Sequence, residues 1–167
     1  LSSYHRSGEF NGSALVYHRG KVIFRKSYGS ADAAAKQALT PADRSYLASA
    51  AKPLTAVAVA ALIQSGRLSY ETPAAKFFPG LKRLLQGVTV KHLLSHTSGL
   101  EDYYKLRTAT PGYSNADAIE ALSLQKKPLG KPGKKFYYSN SNYVLLSEIL
   151  AQVTRKPFQD FLREKIF

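Results

Sequence analysis

The sequence predicts an α+β fold, and three observations carry that reading. An alternating apolar and polar stretch breaks at a glycine turn near the start, a continuous apolar segment of helical length follows, and helical spacing dominates from there to the end. In "NGSALVYHRGKVIFRKSYGSA", β-branched and aromatic residues flank "HRGK", which predicts a hairpin within residues 12–29, with strands at about 13–17 and 21–28. After a polar, alanine-rich connection, the alanines, valines and leucines of residues 49–65 predict a helix apolar on nearly all sides, and therefore buried, that stops at Gly66. "TPAAKFFPGLKRLLQG", broken by Pro73, Pro79 and Gly80, reads as loop and short helix, whereas "TVKHLLSHTSGL" reads as a helix capped at Thr89 and stopped at Gly99. Ser114, three residues before Asp117, predicts a capped helix start. "KPGKKFYYSNSNYVLLSEILAQVTRKPFQDFLREKIF" then predicts a Pro/Gly turn, an aromatic-rich extended piece, a helix over about 141–153 and a last amphipathic helix. A lone hairpin does not make a stable sheet, so something is expected to pair with it.

Composition narrows the function classes. A chain of 167 residues with 44% hydrophobic content is long enough for one globular domain that buries about 70% of its surface. The longest uninterrupted apolar run, Ala56 to Ile63, falls far short of the roughly 20 residues that span a bilayer, so no transmembrane span is expected. The absence of cysteine excludes disulfides, a thiolate nucleophile and a sulfur-ligated metal. The chain opens on Leu1, contains no methionine and shows no basic-then-apolar leader, from which a processed or trimmed start is expected. Its net charge of +13 is densest in "QKKPLGKPGKK" and would attract anionic partners. A lysine run punctuated by proline and glycine is ordinarily a solvated loop, and no helix-turn-helix, zinc-finger or RNA-binding pattern accompanies it; nucleic acid is not an expected partner.

Chemistry is concentrated in a few side chains. Serine followed three residues later by lysine occurs at Ser49/Lys52 and at Ser123/Lys126, against about 1.5 occurrences expected by composition, so context decides between them. Ser49 stands at the predicted start of the apolar helix, with Lys52 one turn on along the same face and Pro53 at a first-turn position. A helix N-terminus favours developing negative charge, and a lysine in an apolar setting gives up its proton more readily, which suits a serine nucleophile and its base. Ser123 and Lys126 lie where a surface helix runs into the lysine loop and read as coincidence. His92 and His96 have the i, i+4 spacing of a metal pair, but the glutamate of the zinc-protease pattern and a third ligand are missing; no metal or other cofactor is expected. A Ser-His-Asp triad using His96 has no aspartate that the sequence singles out.

Three ordered segments make the reading specific. "YLASAAKPLTAVAVAALIQSGRLSYETPAAKFFPG", "GVTVKHLLSHTSGLEDY" and "PGKKFYYSNSNYVLLSEIL" resemble successive signatures of the serine β-lactamase-related family, which includes class C-like penicillin-recognising hydrolases, D-alanyl-D-alanine carboxypeptidases and related esterases. The resemblance implies a β-lactamase/transpeptidase-like fold, an antiparallel sheet flanked by helices with an all-helical subdomain. Residues 1–167 would be the N-terminal part of one such catalytic domain: hairpin 12–29, nucleophile helix 49–65, helical subdomain at about 68–134, and a second-motif segment with helices over 135–167. The family's Ser-x-x-Lys motif falls on Ser49 and Lys52, acylated nucleophile and proton shuttle. Its Tyr-x-Asn motif falls on Tyr138 and Asn140, implying a general acid or base beside Ser49 and an amide that holds a substrate carbonyl. The same "YSN" at Tyr113–Asn115 precedes a helix start and reads as capping. "HLLSHTSGL" is implied to shape the floor of the site.

The resemblance is incomplete. The family's third motif, Lys or His, then Thr or Ser, then Gly, does not occur after Asn140, and one of the two oxyanion N–H donors comes, in the family, from that missing strand. Losing one such donor costs about 100-fold or more in rate, so residues 1–167 alone are expected to be impaired. A complementing C-terminal segment, as a second chain or a continuation, is expected to pair with the hairpin, so that Val22 to Tyr28 is not left as a solvent-exposed edge. The implied function is a bacterial, periplasmic or extracellular serine hydrolase that forms an acyl-enzyme with a β-lactam, a D-Ala-D-Ala peptide or a small ester. The competing reading is a catalytically silent homologue that binds a cell-wall or other anionic polymer through its basic surface.

Overall fold

The computed structural model describes residues 1–32, 34, 36–106 and 113–167, and the chain divides into two compact units, Leu1–Leu47 and Ala48–Phe167. Residues 107–112, within the stretch expected to form a helical subdomain, lie outside the described residues.

The first unit is built on local pairing. A short helix α1 (Ser2–Arg6) precedes β1 (Gly12–His18) and β2 (Lys21–Tyr28), which pair antiparallel from Gly12↔Tyr28 to His18↔Lys21 with an irregularity between Val16 and Tyr17. Arg19 and Gly20 both take positive φ, 46° and 80°, the backbone that a tight two-residue hairpin turn demands. A smaller pair, β3 (Ser30–Asp32) and β4 (Gln37–Ala38), completes the unit. Among its described residues Tyr28 is the one buried apolar side chain, covered by the edge of Phe10 with ring centroids 5.8 Å apart. Among the described residues no further strand pairs with the hairpin, and Val22 and Ile23 stand exposed. The expectation that Val22 to Tyr28 would not be a free edge is therefore not met among the described residues, where β1–β2 and β3–β4 are separate two-stranded sheets.

The second unit carries the core. A 3₁₀ turn at Ala48–Ala51 runs into α2 (Lys52–Gln64), followed by α3 (Val90–Leu94), α4 (Tyr103–Leu106), α5 (Asn115–Leu122), α6 (Asn140–Thr154) and α7 (Phe158–Lys165). Helix α6 lies against α2, α3, α5 and α7, and its Leu145, Leu146, Ile149 and Leu150 are fully buried at the centre. Helix α2 contributes Ala58, Val59 and Leu62, and the loop-rich segment ahead of α3 contributes Leu85 and Val88.

Two expectations change here. Helix α2 is not buried all round: Val57 and Ala60 are exposed, whereas Ala58, Val59 and Leu62 are buried in the core it shares with α6 and α7. Helix α3 ends at Leu94 rather than near Gly99, because the chain turns left-handed at His96, φ 54°. By contrast, the starts of α3 and α5 have the predicted caps: Thr89 N–H donates to His92 Nδ1 at 3.1 Å, and Ser114 accepts from the Asp117 N–H at 3.3 Å. None of the helices among the described residues is long and apolar enough to cross a membrane.

Candidate active site

The site begins with a backbone constraint. Ala48 takes a left-handed φ of 47°, a conformation that costs a non-glycine residue energy and recurs where a side chain must be aimed. Ser49 then sits in the 3₁₀ turn, where residues three apart eclipse one another, so Lys52 is brought over it. Lys52 Nζ donates to Ser49 Oγ at 3.0 Å.

The second half arrives from a distant segment. Residues ahead of α6 run extended, and Tyr138 reaches Ser49 with 2.7 Å between Oη and Oγ. Asn140, the first residue of α6, accepts from Lys52 Nζ at 2.7 Å through Oδ1. All four residues singled out from the sequence, Ser49, Lys52, Tyr138 and Asn140, thus converge on one point. Lys52 Nζ also lies 5.0 Å from the centroid of the Tyr138 ring and 5.7 Å from that of Tyr143. Hydrogen bonding from Lys52, then from Ser49, holds the Tyr138 phenol below its ordinary value of 10.0, because both interactions favour the phenolate. The hydroxyl is open to solvent, with Tyr138 48% exposed, so a ligand can approach it.

Beneath this cluster two segments interlock. Tyr137 N–H donates to His96 O at 2.8 Å, Gly133 N–H to Thr97 O at 2.9 Å, and Leu129 N–H to Gly99 O at 2.8 Å, so the lysine-rich loop is pinned along "HTSG" while its lysine side chains stay in solvent. The buried start of α6 completes the join. Ser139 and Ser141 donate their hydroxyls to Glu101 O at 3.0 and 2.8 Å, and Ser98 donates to Asn142 Oδ1 at 2.5 Å. His96 is central: its ring stacks on Tyr138 at 4.5 Å between centroids, and its Nδ1 accepts from the Ser139 N–H at 3.2 Å, which leaves the proton on Nε2. Burial first, and the Lys52 charge second, push the His96 imidazole below its ordinary 6.5, so a neutral ring backs the phenol.

The sequence reading missed two contributors. For His96 the sequence offered a metal pair, a triad lacking an aspartate and a share in the floor of the site, but not a stacking partner for Tyr138, and for Asp102 it offered no role. Asp102 Oδ2 accepts from the Asn140 backbone N–H at 2.9 Å and from Asn140 Nδ2 at 2.8 Å. The run "SNSN" was the available signal, since four polar residues opening a helix that is apolar inside must find partners; which partners is a tertiary fact.

Other pairs of residues are drawn elsewhere. His92 Nδ1 serves the Thr89 cap while His96 Nδ1 serves Ser139, and among the described residues no cluster suited to a metal ion forms. Ser123 Oγ donates to the Glu120 carbonyl at 2.6 Å. The first "YSN" is tied to helix ends: Tyr113 Oη donates to Asp117 O at 3.1 Å and Asn115 Nδ2 to Ser147 Oγ at 3.1 Å.

Comparison with known proteins shows the family and the fold. The Beta-lactamase family model matches residues 5–167. Penicillin-binding protein 4* of Bacillus subtilis is 34% identical over 164 residues, covering 95% of this chain and 36% of that protein. Among solved structures, a penicillin binding protein from Bacillus halodurans superposes with a TM-score of 0.85 at 27% identity, over 98% of this chain and 51% of that one. A D-amino acid amidase from Ochrobactrum anthropi SV3 superposes with a TM-score of 0.82 at 28% identity, over 98% of this chain and 46% of that one. The chain therefore has a β-lactamase/transpeptidase-like fold and spans about a third to a half of the length of these relatives.

Proposed function

The chain belongs to the Beta-lactamase family, and from that premise we propose that it supplies the nucleophile-bearing part of a serine hydrolase that works through an acyl-enzyme on an amide or ester. One observation carries the reading: Ser49 Oγ lies 2.7 Å from Tyr138 Oη and 3.0 Å from Lys52 Nζ, within direct proton-transfer distance of both. Ser49 Oγ attacks the acyl carbon; as the C–O bond forms, the hydroxyl proton passes to the Tyr138 oxygen, which Lys52 biases toward phenolate. Collapse of the tetrahedral intermediate breaks the bond to the leaving amine or alcohol, which takes that proton. Water then repeats the sequence on the acyl-enzyme and releases Ser49. Asn140 orients the substrate through its remaining amide hydrogen. The Ser49 N–H is one oxyanion donor, and the second comes from further residues or a second chain that adds strands to the hairpin and makes residues 1–167 the first part of one catalytic domain. The names of the relatives, penicillin-binding proteins and a D-amino acid amidase, favour a β-lactam or an amide of a D-residue as substrate, and a setting in the periplasm or outside the cell is the one the family resemblance implies.

Labelling tests this. A fluorophosphonate or a penicillin should add its acyl or phosphonyl mass to Ser49, and Ser49→Ala should abolish the adduct. The acylation rate should climb with pH as Tyr138 loses its proton, over a range that starts below the ordinary 10.0 of a phenol, and Tyr138→Phe should flatten that rise. Failure of the complete protein to form any adduct, with binding to an anionic cell-wall polymer retained, would assign it instead as a silent homologue.

A further inference from the structure

We infer that Asp102 is a positioning residue of this site: its carboxylate locks the Asn140 amide with Oδ1 toward Lys52, and so holds the ammonium over the Ser49 hydroxyl. The inference rests on the functional reading above and adds a residue to it.

The argument is one of donors and acceptors. An asparagine side chain offers two orientations of similar shape, one presenting oxygen and one presenting NH₂. Lys52 can use only the oxygen face, since its Nζ donates to Asn140 Oδ1 at 2.7 Å. Asp102 Oδ2, an acceptor, can use only the NH₂ face, at 2.8 Å. The two contacts therefore select the same orientation from opposite ends, and neither survives a flip. Asp102 is itself fixed: Oδ2 also takes the Asn140 backbone N–H at 2.9 Å, and Oδ1 takes the Tyr104 N–H at 3.1 Å. The stretch before it is clamped to α6 through the bonds from Ser139 and Ser141 to Glu101 O. A chain thus runs from Asp102 through Asn140 to Lys52 and on to Ser49, every link a hydrogen bond of 3.0 Å or less. Asp102 touches none of the groups that exchange the proton. Its negative charge also opposes the depression of the Tyr138 phenol, so its removal should be felt there as well.

The experiment is a double-mutant cycle on the protein that contains this chain, read by the rate at which a fluorophosphonate labels Ser49. Asp102→Asn places a second amide against Asn140 and lets it flip; acylation at neutral pH should fall by about 100-fold, the scale of an ångström-sized misplacement of a reacting group. In an Asn140→Ala background the same substitution should add no further loss, because the device it acts through is gone. The rise of rate with pH should shift to lower pH in Asp102→Asn, an effect that a purely structural residue would not produce. Where Asp102→Asn does not fold, Asp102→Ala takes its place, with the same fall in acylation rate expected. A rate within about twofold of the parent, or a full additional loss in the Asn140→Ala background, overturns the inference. Side-chain amide NMR of Asn140 reads the lock without any labelling chemistry: its Nδ2 protons should be protected in the parent and exchange freely in Asp102→Asn, and equal protection in both also overturns it. If Ser49→Ala is still labelled, the functional reading has failed instead, and the NMR result decides the lock by itself.

Discussion

The hairpin unit and the helical unit of this chain are stabilised in different ways. In residues 1–47 the backbone pairs locally from Gly12↔Tyr28 to His18↔Lys21, yet among the described residues there Tyr28 is the one buried apolar side chain, and Leu15, Tyr17, Val22 and Ile23 face solvent. In residues 48–167 helix α6 gathers side chains from four other helices, and no buried side-chain nitrogen or oxygen among the described residues lacks a partner. Backbone hydrogen bonds formed in exchange for those to water add little net stability, whereas apolar burial adds about 25 cal/mol for each Å² removed from water. The lesson is that the unit holding the candidate site has a core of its own, and the hairpin has pairing without one.

The largest expected effect attacks the helical side of that contrast. Ile149 is fully buried in α6, and Ile149→Ala should remove about 2–5 kcal/mol from the unfolding free energy, measured by urea denaturation followed through helical circular dichroism. A loss under about 1 kcal/mol would mean that α6 is not the centre of the core. Next in size is Gly99, where the two interlocked segments meet. Its φ of +78° and the 2.5 Å that would separate an added Cβ from the Gly130 carbonyl oxygen make Gly99→Ala strained on two counts. The cost should be roughly 1–3 kcal/mol, with slower labelling of Ser49 as His96 shifts beneath Tyr138. If stability drops and labelling does not, the floor and the site are less coupled than the hydrogen bonds imply.

How much of this was legible beforehand follows from the range of each interaction. The hairpin turn, the Ser114 cap and the Gly66 stop depend on neighbours within a few residues, and the structure has each of them where the sequence put it. Ser49 and Lys52 were legible because one helical turn brings them together; Tyr138 and Asn140 were legible only through the resemblance, since they meet Ser49 across 89 and Lys52 across 88 residues. Asp102 was invisible for the same reason. Nothing in "GLEDY" says that this carboxylate, rather than Glu101 beside it, would face the amide of Asn140. The burial of α2 was overstated because an apolar pattern on every side does not say which sides meet the core: Ala58, Val59 and Leu62 do, and Val57 and Ala60 do not.

The smallest effect is the one that tests whether the hairpin is complete. Ile23 is 64% exposed, so Ile23→Thr in residues 1–167 should change stability by no more than about 0.5 kcal/mol, as surface substitutions do. If a complementing segment adds strands and a covering layer, the same side chain becomes part of a core, and its full burial is worth about 1.5–3 kcal/mol. Measuring Ile23→Thr twice, in this chain and in a protein extended by the residues that follow it in its source, therefore reads the cover directly as a difference between two small numbers. A rise of a kilocalorie or more, accompanied by slower exchange of the amides of β1 or β2, makes the hairpin an unfinished sheet. Equal, negligible effects in both proteins would mean that the exposed face is its final state, and the second oxyanion donor would then have to be sought somewhere other than a strand laid beside it.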